Sequence, residues 1–566
     1  VKESLDVNGT IKLDGNYPVG TDNVALGNTA LDSVEAGGTE NTAIGSKAGT
    51  AITTGDDNVA VGTCALLANT TGSRNTAIGK RALDANTDGV CNTAVGFNSL
   101  SANIGGNQNT ALGVEALALN TTADNNTAFG FSALKLNTTG SNLTGLGSFA
   151  LDENTTGASN TAVGSSALNK NTTGDFNVAV GSNALCTNVT SDNNTAVGYF
   201  ALKVNTTGCQ NVAVGATALD ANTTGCMNTA VGRSALTTNT TGLCNTALGR
   251  TAMELNVSGC FNVAVGKDAL GNNTTANDNT AVGFQSLVLN TTGTQLVAVG
   301  CGALKSNTTG GCNTAVGKDA MLANTTGANN AAVGQAALDS NTEGNSNVAM
   351  GRNSLASNTT AGNNTGIGAF ALEQNVTGTG NTAVGQLSLN RNTASNNTAV
   401  GRQALEPNTT GTQNVAVGNE SLGSNTEGNY NVAVGRLALY ENTTASNNTA
   451  VGLSALEKNT TGCQNVAVGA NALDANTIGN YNIAVGPNAL SSNTEGNNNV
   501  AVGLIAMRDN VTGDSNTALG FAALRVTTAD NNVAVGTCSL YENTSGSSNT
   551  AVGFESMKFN TTGANN

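Results

Sequence analysis

The sequence contains no histidine and no tryptophan, three prolines, and only 3% aromatic residues. The absence of histidine removes the commonest acid–base group and a common zinc ligand. Aromatic side chains supply large buried areas in globular interiors, so their scarcity predicts a thin interior filled by Val, Ile, Leu and Ala. No cluster of polar residues stands apart from the repeat described below. We therefore expect no catalytic residue, no cofactor and no enzyme activity.

Basic residues are also scarce, with Lys+Arg 22 against Asp+Glu 37 and a net charge of −15. Binding to nucleic acid needs clustered Lys and Arg, so this partner is excluded. No run of about 18 apolar residues occurs, and no membrane span is predicted. The Gly-Gly-x-Gly-x-Asp nonapeptide is missing, and the polar turns carry mostly neutral Asn and Thr. We therefore expect no metal site.

What the chain has instead is a 17-residue repeat. Residues Asn58–Arg74 read N-V-A-V-G-T-C-A-L-L-A-N-T-T-G-S-R, and the same pattern then begins again. We count 32 starts between Asn23 and Asn549, all on Asn except Leu143 and Leu296. A fixed short period predicts a solenoid in which each repeat is one rung. At about 4.8 Å per rung, the rungs predict a rod of roughly 150 Å.

We number the rung 1 to 17 from its usual Asn. Positions 2 to 4 alternate like a strand, with positions 2 and 4 on one face and position 3 on the other. Val61 is typical of position 4 and Leu66 of position 9. Positions 7 to 10 are predicted to form a second short strand with the leucine inward. Position 5 is always glycine, as in Gly62, Gly79 and Gly96, which indicates a corner with positive φ or close backbone approach.

The sequence Asn-Thr-Thr-Gly at positions 12 to 15 is typical of a turn. Stacked asparagines at positions 1 and 12, such as Asn58 and Asn69, can chain their amides from rung to rung. We expect these ladders to be structural, and the alternative is a polar binding face. The rungs that begin at Asn381 and Asn516 are one residue short, and the missing residue falls in the polar turn. The predicted fold is an all-β parallel β-solenoid, or β-roll, without helices.

Residues 1–22 precede the first rung. Residues 4–15 alternate between apolar and polar and have Asn8-Gly9 at their centre, which is a hairpin signal. We predict a short N-terminal hairpin that caps the first rung or forms a junction leading into the repeats. Residues 23–566 are predicted to be one continuous solenoid.

Positions 3 and 8 are small and largely apolar, as at Ala60, Ala77 and Ala94. The predicted alternation places them on the outer surface. Monomers seldom leave apolar stripes of that length in water. We therefore expect the stripes to pack chain against chain, with three copies around one axis. The alternative is that the small residues line a cramped interior corner.

Four of the 11 cysteines lie in one turn of consecutive rungs: Cys209, Cys226, Cys244 and Cys260. Stacked neighbours have Cα atoms about 5 Å apart, within disulfide range. Cys209–Cys226 is the first candidate pair because both occupy position 16, and Cys244–Cys260 is the second. The alternative is free thiols in a reducing compartment. Asn-Thr-Thr, as at Asn69, is also an N-glycosylation sequon, although turn chemistry alone explains these residues.

The pentapeptides Asn58–Gly62, Asn177–Gly181 and Asn262–Gly266 (N-V-A-V-G) and Asn75–Gly79 (N-T-A-I-G) resemble the S-V-A-I-G signature of trimeric autotransporter adhesin heads. Those heads are left-handed parallel β-rolls with three chains per fibre and shorter rungs. Similar repeats occur in tail-fibre-like proteins of phages and other viruses, and the pattern N-T-A-V-G, A-L, N-T-T-G is closer to that type. The resemblance covers about residue 23 to the end and implies a left-handed homotrimeric fibre.

Three functions follow as expectations. The first is an extracellular structural fibre, the shaft of a virion tail fibre or a cell-surface appendage that positions a receptor-binding tip. The second is an adhesin whose repeat surface binds a host receptor or matrix. The third is ice binding, since turn threonines such as Thr70 and Thr71 would form hydroxyl ladders. Against the third, these threonines lie in a turn rather than on a flat strand.

Overall fold

The computed structural model describes residue 20 and residues 22–566. These residues form short strands and turns, and none of them lies in a helix. The all-β class, the parallel β-solenoid and the 17-residue rung predicted from the sequence are confirmed. The hairpin predicted within residues 1–22 lies outside the described residues, which include only Gly20 and Asp22 of that segment.

The chain divides into two compact units, residues 1–279 and residues 280–566. In the first unit, strands β1 to β15 have three residues each, and consecutive strands of this unit pair in parallel. Their bounds are Val24–Leu26, Thr42–Ile44, Val59–Val61, Thr76–Ile78, Thr93–Val95, Thr110–Leu112, Thr127–Phe129, Thr144–Leu146, Thr161–Val163, Val178–Val180, Thr195–Val197, Val212–Val214, Thr229–Val231, Thr246–Leu248 and Val263–Val265.

In the second unit, strands β16 to β32 repeat the same pattern of parallel pairing between consecutive strands. Their bounds are Thr280–Val282, Val297–Val299, Thr314–Val316, Ala331–Val333, Val348–Met350, Thr365–Ile367, Thr382–Val384, Thr398–Val400, Val415–Val417, Val432–Val434, Thr449–Val451, Val466–Val468, Ile483–Val485, Val500–Val502, Thr517–Leu519, Val533–Val535 and Thr550–Val552.

Equivalent positions of neighbouring rungs lie opposite each other, as Ala60 does with Ala77. The register survives the short rungs. Thr382 pairs with Thr398 although the rung between them has lost one residue, and the rung that begins at Asn516 behaves in the same way. The deletion is therefore absorbed in the polar turn, as the sequence predicts, and the strands stay in phase.

The middle residue of each strand faces the core. Ala60 is 1% exposed and Ala77 is fully buried, as is Ala65 at position 8, whereas Ile78 at position 4 is 41% exposed. Val61 is partly exposed. The sequence-based placement of positions 3 and 8 on the outer surface is therefore wrong. The small residues line the interior, and the outward face of the strand carries the larger residues of positions 2 and 4.

The interior is too narrow for a larger side chain at position 3. Where Gly145 takes this position, an added Cβ would lie 3.2 Å from Leu134 Cγ and 3.3 Å from the Ala150 carbonyl oxygen. A methyl group is thus the largest side chain that fits without displacing its neighbours. The leucine of position 9 fills the rest of the rung, and Leu66 is fully buried as predicted.

The second strand predicted at positions 7 to 10 is absent, and this prediction is wrong. These residues form turns in which positions 7 and 9 have positive φ, 61° at Cys64 and 49° at Leu66. A leucine in this region is unusual because its side chain crowds the backbone. The segment still bonds to a neighbouring rung, since the Leu66 N–H donates to the Ala82 carbonyl at 3.0 Å. Hydrogen bonds between rungs therefore do not require an extended second strand.

Glycine at position 5 meets both conditions expected of it. Gly62 has φ 133°, and an added Cβ would lie 2.6 Å from the carbonyl oxygen of Gly79 in the next rung. The N–H of Gly62 donates to the Ile44 carbonyl of the preceding rung at 2.8 Å. Gly79 and Gly96 repeat this geometry. The corner therefore stacks backbone directly on backbone, and only glycine fits.

Candidate functional site

The first and third residues of every strand form an outward strand face in each unit. The third residue is Val, Ile, Leu, Met or Phe in all described strands, and the first is Thr, Val, Ile or Ala. Many of the third residues are well exposed, with Leu248 at 46% and Met350 at 44%. Neither position carries a charged or amide side chain in any described strand. Uncharged surfaces of this extent are typical of interaction faces, which makes the outward strand face the candidate site.

Charged residues lie in the turn segments instead, where several pair between rungs. Lys135 Nζ is 2.8 Å from Glu115 Oε2, and Arg402 Nη1 is 3.5 Å from Glu420 Oε1. The hydrogen bond with Glu115 raises the pKa of Lys135. Exposed ion pairs contribute little to stability. Their confinement to the turns therefore shows which faces of the rung tolerate charge.

The asparagines of position 1 form a buried ladder. The backbone N–H of Asn75 donates to Asn58 Oδ1 at 3.0 Å. Asn75 Nδ2 donates at 2.8 Å to the Gly89 carbonyl across its own rung. Asn58 is 1% exposed and Asn75 is fully buried. Each side chain thus ties one rung together and links it to the next, and none is available as a polar binding face.

A second ladder runs through position 12. Asn86 Nδ2 donates to Asn69 Oδ1 at 2.6 Å and to the Gly89 carbonyl at 3.0 Å, and both asparagines are fully buried. Both amide hydrogens of Asn86 are therefore used inside the solenoid. An N-linked glycan replaces one of these hydrogens and needs space outside the chain. The sequons at this position are structural turns in the folded protein.

One threonine of a Thr-Thr pair in the turn uses its hydroxyl in a hydrogen bond to the backbone. Thr70 Oγ1 donates to the Thr87 carbonyl of the next rung at 3.0 Å, and Thr87 Oγ1 donates to the Ile104 carbonyl at 3.1 Å. Thr71 at position 14 is exposed. Only one of the paired threonines thus presents its hydroxyl to solvent, which removes half of the hydroxyl ladder on which ice binding was based.

A third ladder, at position 16, was missed from the sequence. In the rungs where this residue has a short polar side chain, that side chain accepts a hydrogen bond from the backbone N–H of position 16 in the preceding rung. Ser73 Oγ accepts from Asp56 at 3.0 Å, and Asp124 Oδ1 accepts from Asn107 at 2.6 Å. The recurrence of Asp, Asn and Ser at this position was the signal, since short acceptor side chains bond to nearby backbone.

Two cysteines meet in the position 16 ladder. Cys209 Sγ and Cys226 Sγ are 3.0 Å apart, and the Cys209 N–H donates to Cys226 Sγ at 3.0 Å. Both are free thiols. The second candidate pair has a different arrangement, because Cys260 Sγ accepts a hydrogen bond at 3.3 Å from the backbone of Leu243, which lies between it and the Cys226 rung. Cys244 occupies position 17 and is also a free thiol.

Three aspartates of position 10 have carboxyl groups in an environment that disfavours their charge. Asp152, Asp339 and Asp474 each have a buried Oδ1 without a hydrogen-bond partner. Burial raises the pKa of all three carboxyls. For Asp339 the nearby carboxylate of Asp319 raises the pKa further. The three residues lie in separate rungs, so they do not combine into one site.

Four exposed aromatic residues lie on three nearby rungs of the first unit, those that begin at Asn92, Asn126 and Leu143. Phe97 is 43% exposed, Phe129 52%, Phe131 48% and Phe149 38%. The rings of Phe131 and Phe149 meet edge to face with centroids 5.2 Å apart. We call these four residues the exposed aromatic patch. It occupies variable positions of the repeat and was not singled out from the sequence.

Within residue 20 and residues 22–566, no three or more His, Cys, Asp or Glu side chains are grouped so that they could hold a metal. The same residues include no helix with the length and hydropathy needed to cross a membrane. No protein-family model matches the chain, and no curated protein matches its sequence. The resemblance to adhesin heads and viral tail fibres therefore rests on the repeat residues alone.

Proposed function

We propose that this chain is a non-enzymatic structural shaft that assembles with further copies of itself through the outward strand face. The observation that carries this proposal is the lack of any charged residue on that face in all described strands. The assembly is a three-chain, extracellular fibre of a virion or a cell surface, and it positions a receptor-binding tip. The number three and the setting rest on the resemblance to adhesin heads and tail fibres.

The contrast between two exposed positions supports assembly. Position 14 lies in the polar turn and accepts charge, as at Glu343, Glu427 and Glu495. Position 4 is exposed in many rungs and never carries a charge. Solvent alone would permit Lys or Glu at both places. A surface that excludes charge in rung after rung is explained by contact with another apolar surface, and a second copy of the chain supplies one.

The repeat also favours a structural role over a catalytic one. Active sites need several different groups held in one place, whereas this chain presents nearly the same side chains in every rung. The asparagines of positions 1 and 12 and polar side chains of position 16 are engaged in hydrogen bonds within and between rungs. What is left for function is the outward strand face and the variable turns.

Sedimentation equilibrium tests the proposal directly. The wild-type chain is expected at three times its mass of 55.9 kDa. Glutamate at position 4 of five neighbouring strands is expected to shift the protein to the monomer mass, because the like charges would be buried against one another. The substitutions are Val163→Glu, Val180→Glu, Val197→Glu, Val214→Glu and Val231→Glu.

The matched control adds the same five charges to the same rungs at exposed position 14, and it should keep the wild-type mass. These substitutions are Thr173→Glu, Thr190→Glu, Thr207→Glu, Thr224→Glu and Thr241→Glu. Circular dichroism of both proteins shows whether the solenoid is intact. A wild-type chain that sediments as a folded monomer at all concentrations would overturn the proposal.

A second candidate is an adhesin that binds a host receptor or matrix along its repeats. The exposed aromatic patch favours it, because exposed aromatic side chains are enriched at recognition surfaces. In this case Phe131→Ser should abolish binding of the intact protein to cells or matrix components while its sedimentation is unchanged. Phe521→Ser, at the same position of a distant rung, is the control and should bind normally.

A further inference from the structure

Position 16 places the side chains of neighbouring rungs next to one another, and those of Ser73, Asp124 and Cys226 each accept a hydrogen bond from the backbone of the rung before. Cysteines occupy this position in two consecutive rungs, at Cys209 and Cys226. Their sulfur atoms are 3.0 Å apart. We infer that Cys209 and Cys226 are a redox-active pair that closes to a disulfide between rungs by exchange with a small external disulfide.

The geometry of the solenoid suits this bond. Neighbouring strands of a sheet are about 4.8 Å apart, which falls within the Cα separation of about 4.4–6.8 Å found for disulfides. A disulfide has a sulfur–sulfur distance of about 2.05 Å. The two sulfurs of the pair thus need to approach by about 1 Å, which rotation of the side chains supplies without a change of rung spacing.

The pair is held in place and is accessible. Cys226 Sγ accepts the N–H of Cys209 at 3.0 Å and thereby takes the place that Ser73 Oγ takes toward Asp56. Both cysteines are only partly buried, so a small oxidant can reach them. The hydrogen bond between the Cys209 thiol and the Cys226 sulfur raises the pKa of Cys209. The rate of thiol–disulfide exchange should therefore increase as the pH rises above neutrality.

The other cysteines with described contacts bond to non-sulfur groups. Cys312 Sγ lies 3.1 Å from Gln295 Oε1, and Cys186 Sγ lies 3.5 Å from the Lys203 carbonyl. Among the described residues, no sulfur–sulfur contact besides that of Cys209 and Cys226 is present. The register of the rungs therefore determines that this pair, and no other pair of cysteines, forms the disulfide.

The chemistry balances with an external disulfide as the oxidant. One cysteine thiolate attacks the external disulfide and forms a mixed disulfide, and one small thiolate leaves. The second cysteine loses its proton and attacks the cysteine sulfur of the mixed disulfide, so that the second small thiolate leaves. One cysteine disulfide forms, the external disulfide is reduced to two thiols, and the two thiol protons pass to the leaving groups.

The test exposes the folded full-length chain to a glutathione buffer in which the disulfide form predominates. Acid quenching, alkylation and mass spectrometry then count the remaining thiols. We expect a cross-linked peptide pair that contains Cys209 and Cys226 with no glutathione on either, whereas each of the other nine of the 11 cysteines carries a free thiol or glutathione. Cleavage before Asp220, which lies between the two cysteines, separates the peptides for identification.

Two variants make the outcome decisive. Cys226→Ser keeps an acceptor for the Cys209 N–H, as Ser73 does in its own rung, and should leave Cys209 as a mixed disulfide with glutathione. Cys244→Ser removes a neighbouring thiol and should leave the cross-link unchanged. The inference is overturned if the wild-type chain keeps both thiols, carries glutathione on either, or pairs either with a different cysteine.

Discussion

At the buried positions of the rung, the residue type is restricted by a different physical requirement at each position. Ala60 at position 3 is limited by space, since an added Cβ at Gly145, in the same position, would lie against Leu134. Asn86 is limited by its two amide hydrogens, which both have acceptors. Asp339, by contrast, does not have all of its polar atoms hydrogen-bonded. Its carboxyl has a buried oxygen without a partner, and burial raises its pKa. The carboxylate of Asp339 therefore lowers the stability of the folded protein, as do those of Asp152 and Asp474.

Replacement of this carboxyl should stabilise the protein in a manner that depends on pH. A raised pKa means that the protonated form is favoured in the folded state. The stability that it contributes is complete below the ordinary value of 3.8 and is lost as the pH rises through the raised value. Asp339→Asn removes this loss, and its free energy of unfolding should exceed that of the wild type by about 1 kcal/mol at pH 7.

Thermal unfolding from pH 3 to pH 7 measures this difference, which should vanish at the acid end. Asp88→Asn is the control, because Asp88 is exposed at position 14, and it should unfold like the wild type throughout. An Asp339→Asn protein that gains no stability at pH 7 would show that the unpartnered oxygen is not a cost.

The residue-level errors of sequence reasoning have a definite origin. Alternation shows that Ala60 and Val61 lie on opposite faces, but both are apolar, so it does not show which of them is inside. The answer depends on the width of the rung, which is set by contacts between Leu134 and position 3 of the next rung. The ladder of Ser73 was missed because position 16 varies among Asp, Asn, Ser, Thr, Cys and apolar residues, whereas positions 1 and 12 are nearly always Asn.

At the scale of the element, position 14 is a place where the rung can lose a residue. The short rungs at Asn381 and Asn516 both lack a residue in this turn. Their strand register is intact, and Asn381 Nδ2 still reaches the Ala394 carbonyl across the rung at 2.8 Å. Asn516 Nδ2 reaches the Ala529 carbonyl in the same way, so the turn closes with one residue fewer while the bond of the position 1 asparagine is retained.

Deletion of Thr190 should therefore be tolerated, at a cost of about 1 kcal/mol or less, because it recreates the turn of the short rungs. Deletion of Val180 should cost more than about 4 kcal/mol, because a slip of one residue turns every side chain of the strand to the opposite face. Thermal unfolding of the two single-residue deletions compares them. Equal losses of stability would contradict the assignment of position 14.

The elements were predictable in part. The strand at positions 2 to 4 and the Asn-Thr-Thr-Gly turn follow from alternation and turn chemistry. The segment from Cys64 to Leu67 is predicted as a strand with Leu66 inward. The structure confirms that Leu66 is buried. The backbone of the segment is different, since positive φ at Cys64 and Leu66 is unusual for such residues, and no local signal indicates it.

For the whole molecule, each rung contacts only its neighbours within a unit, so stability should be approximately a sum over rungs and the interfaces between them. The interface contribution depends on whether equivalent positions of neighbouring rungs stay aligned. Removal of residues 414–447 takes out two complete rungs and joins Gln413 at position 17 to Asn448 at position 1. The new neighbours are then equivalent to the old ones, and the ladders continue.

This deletion should lower the calorimetric enthalpy of unfolding by about 24 kcal/mol, in proportion to the residues removed, with little change of midpoint temperature. Removal of residues 414–439 is smaller but joins Gln413 to Tyr440 at position 10, which breaks the ladders of positions 1, 12 and 16 at the junction. It should lower the midpoint far more. If the smaller deletion were the better tolerated one, the number of rungs would matter more than their register, and stacking of equivalent positions would not be what stabilises this protein.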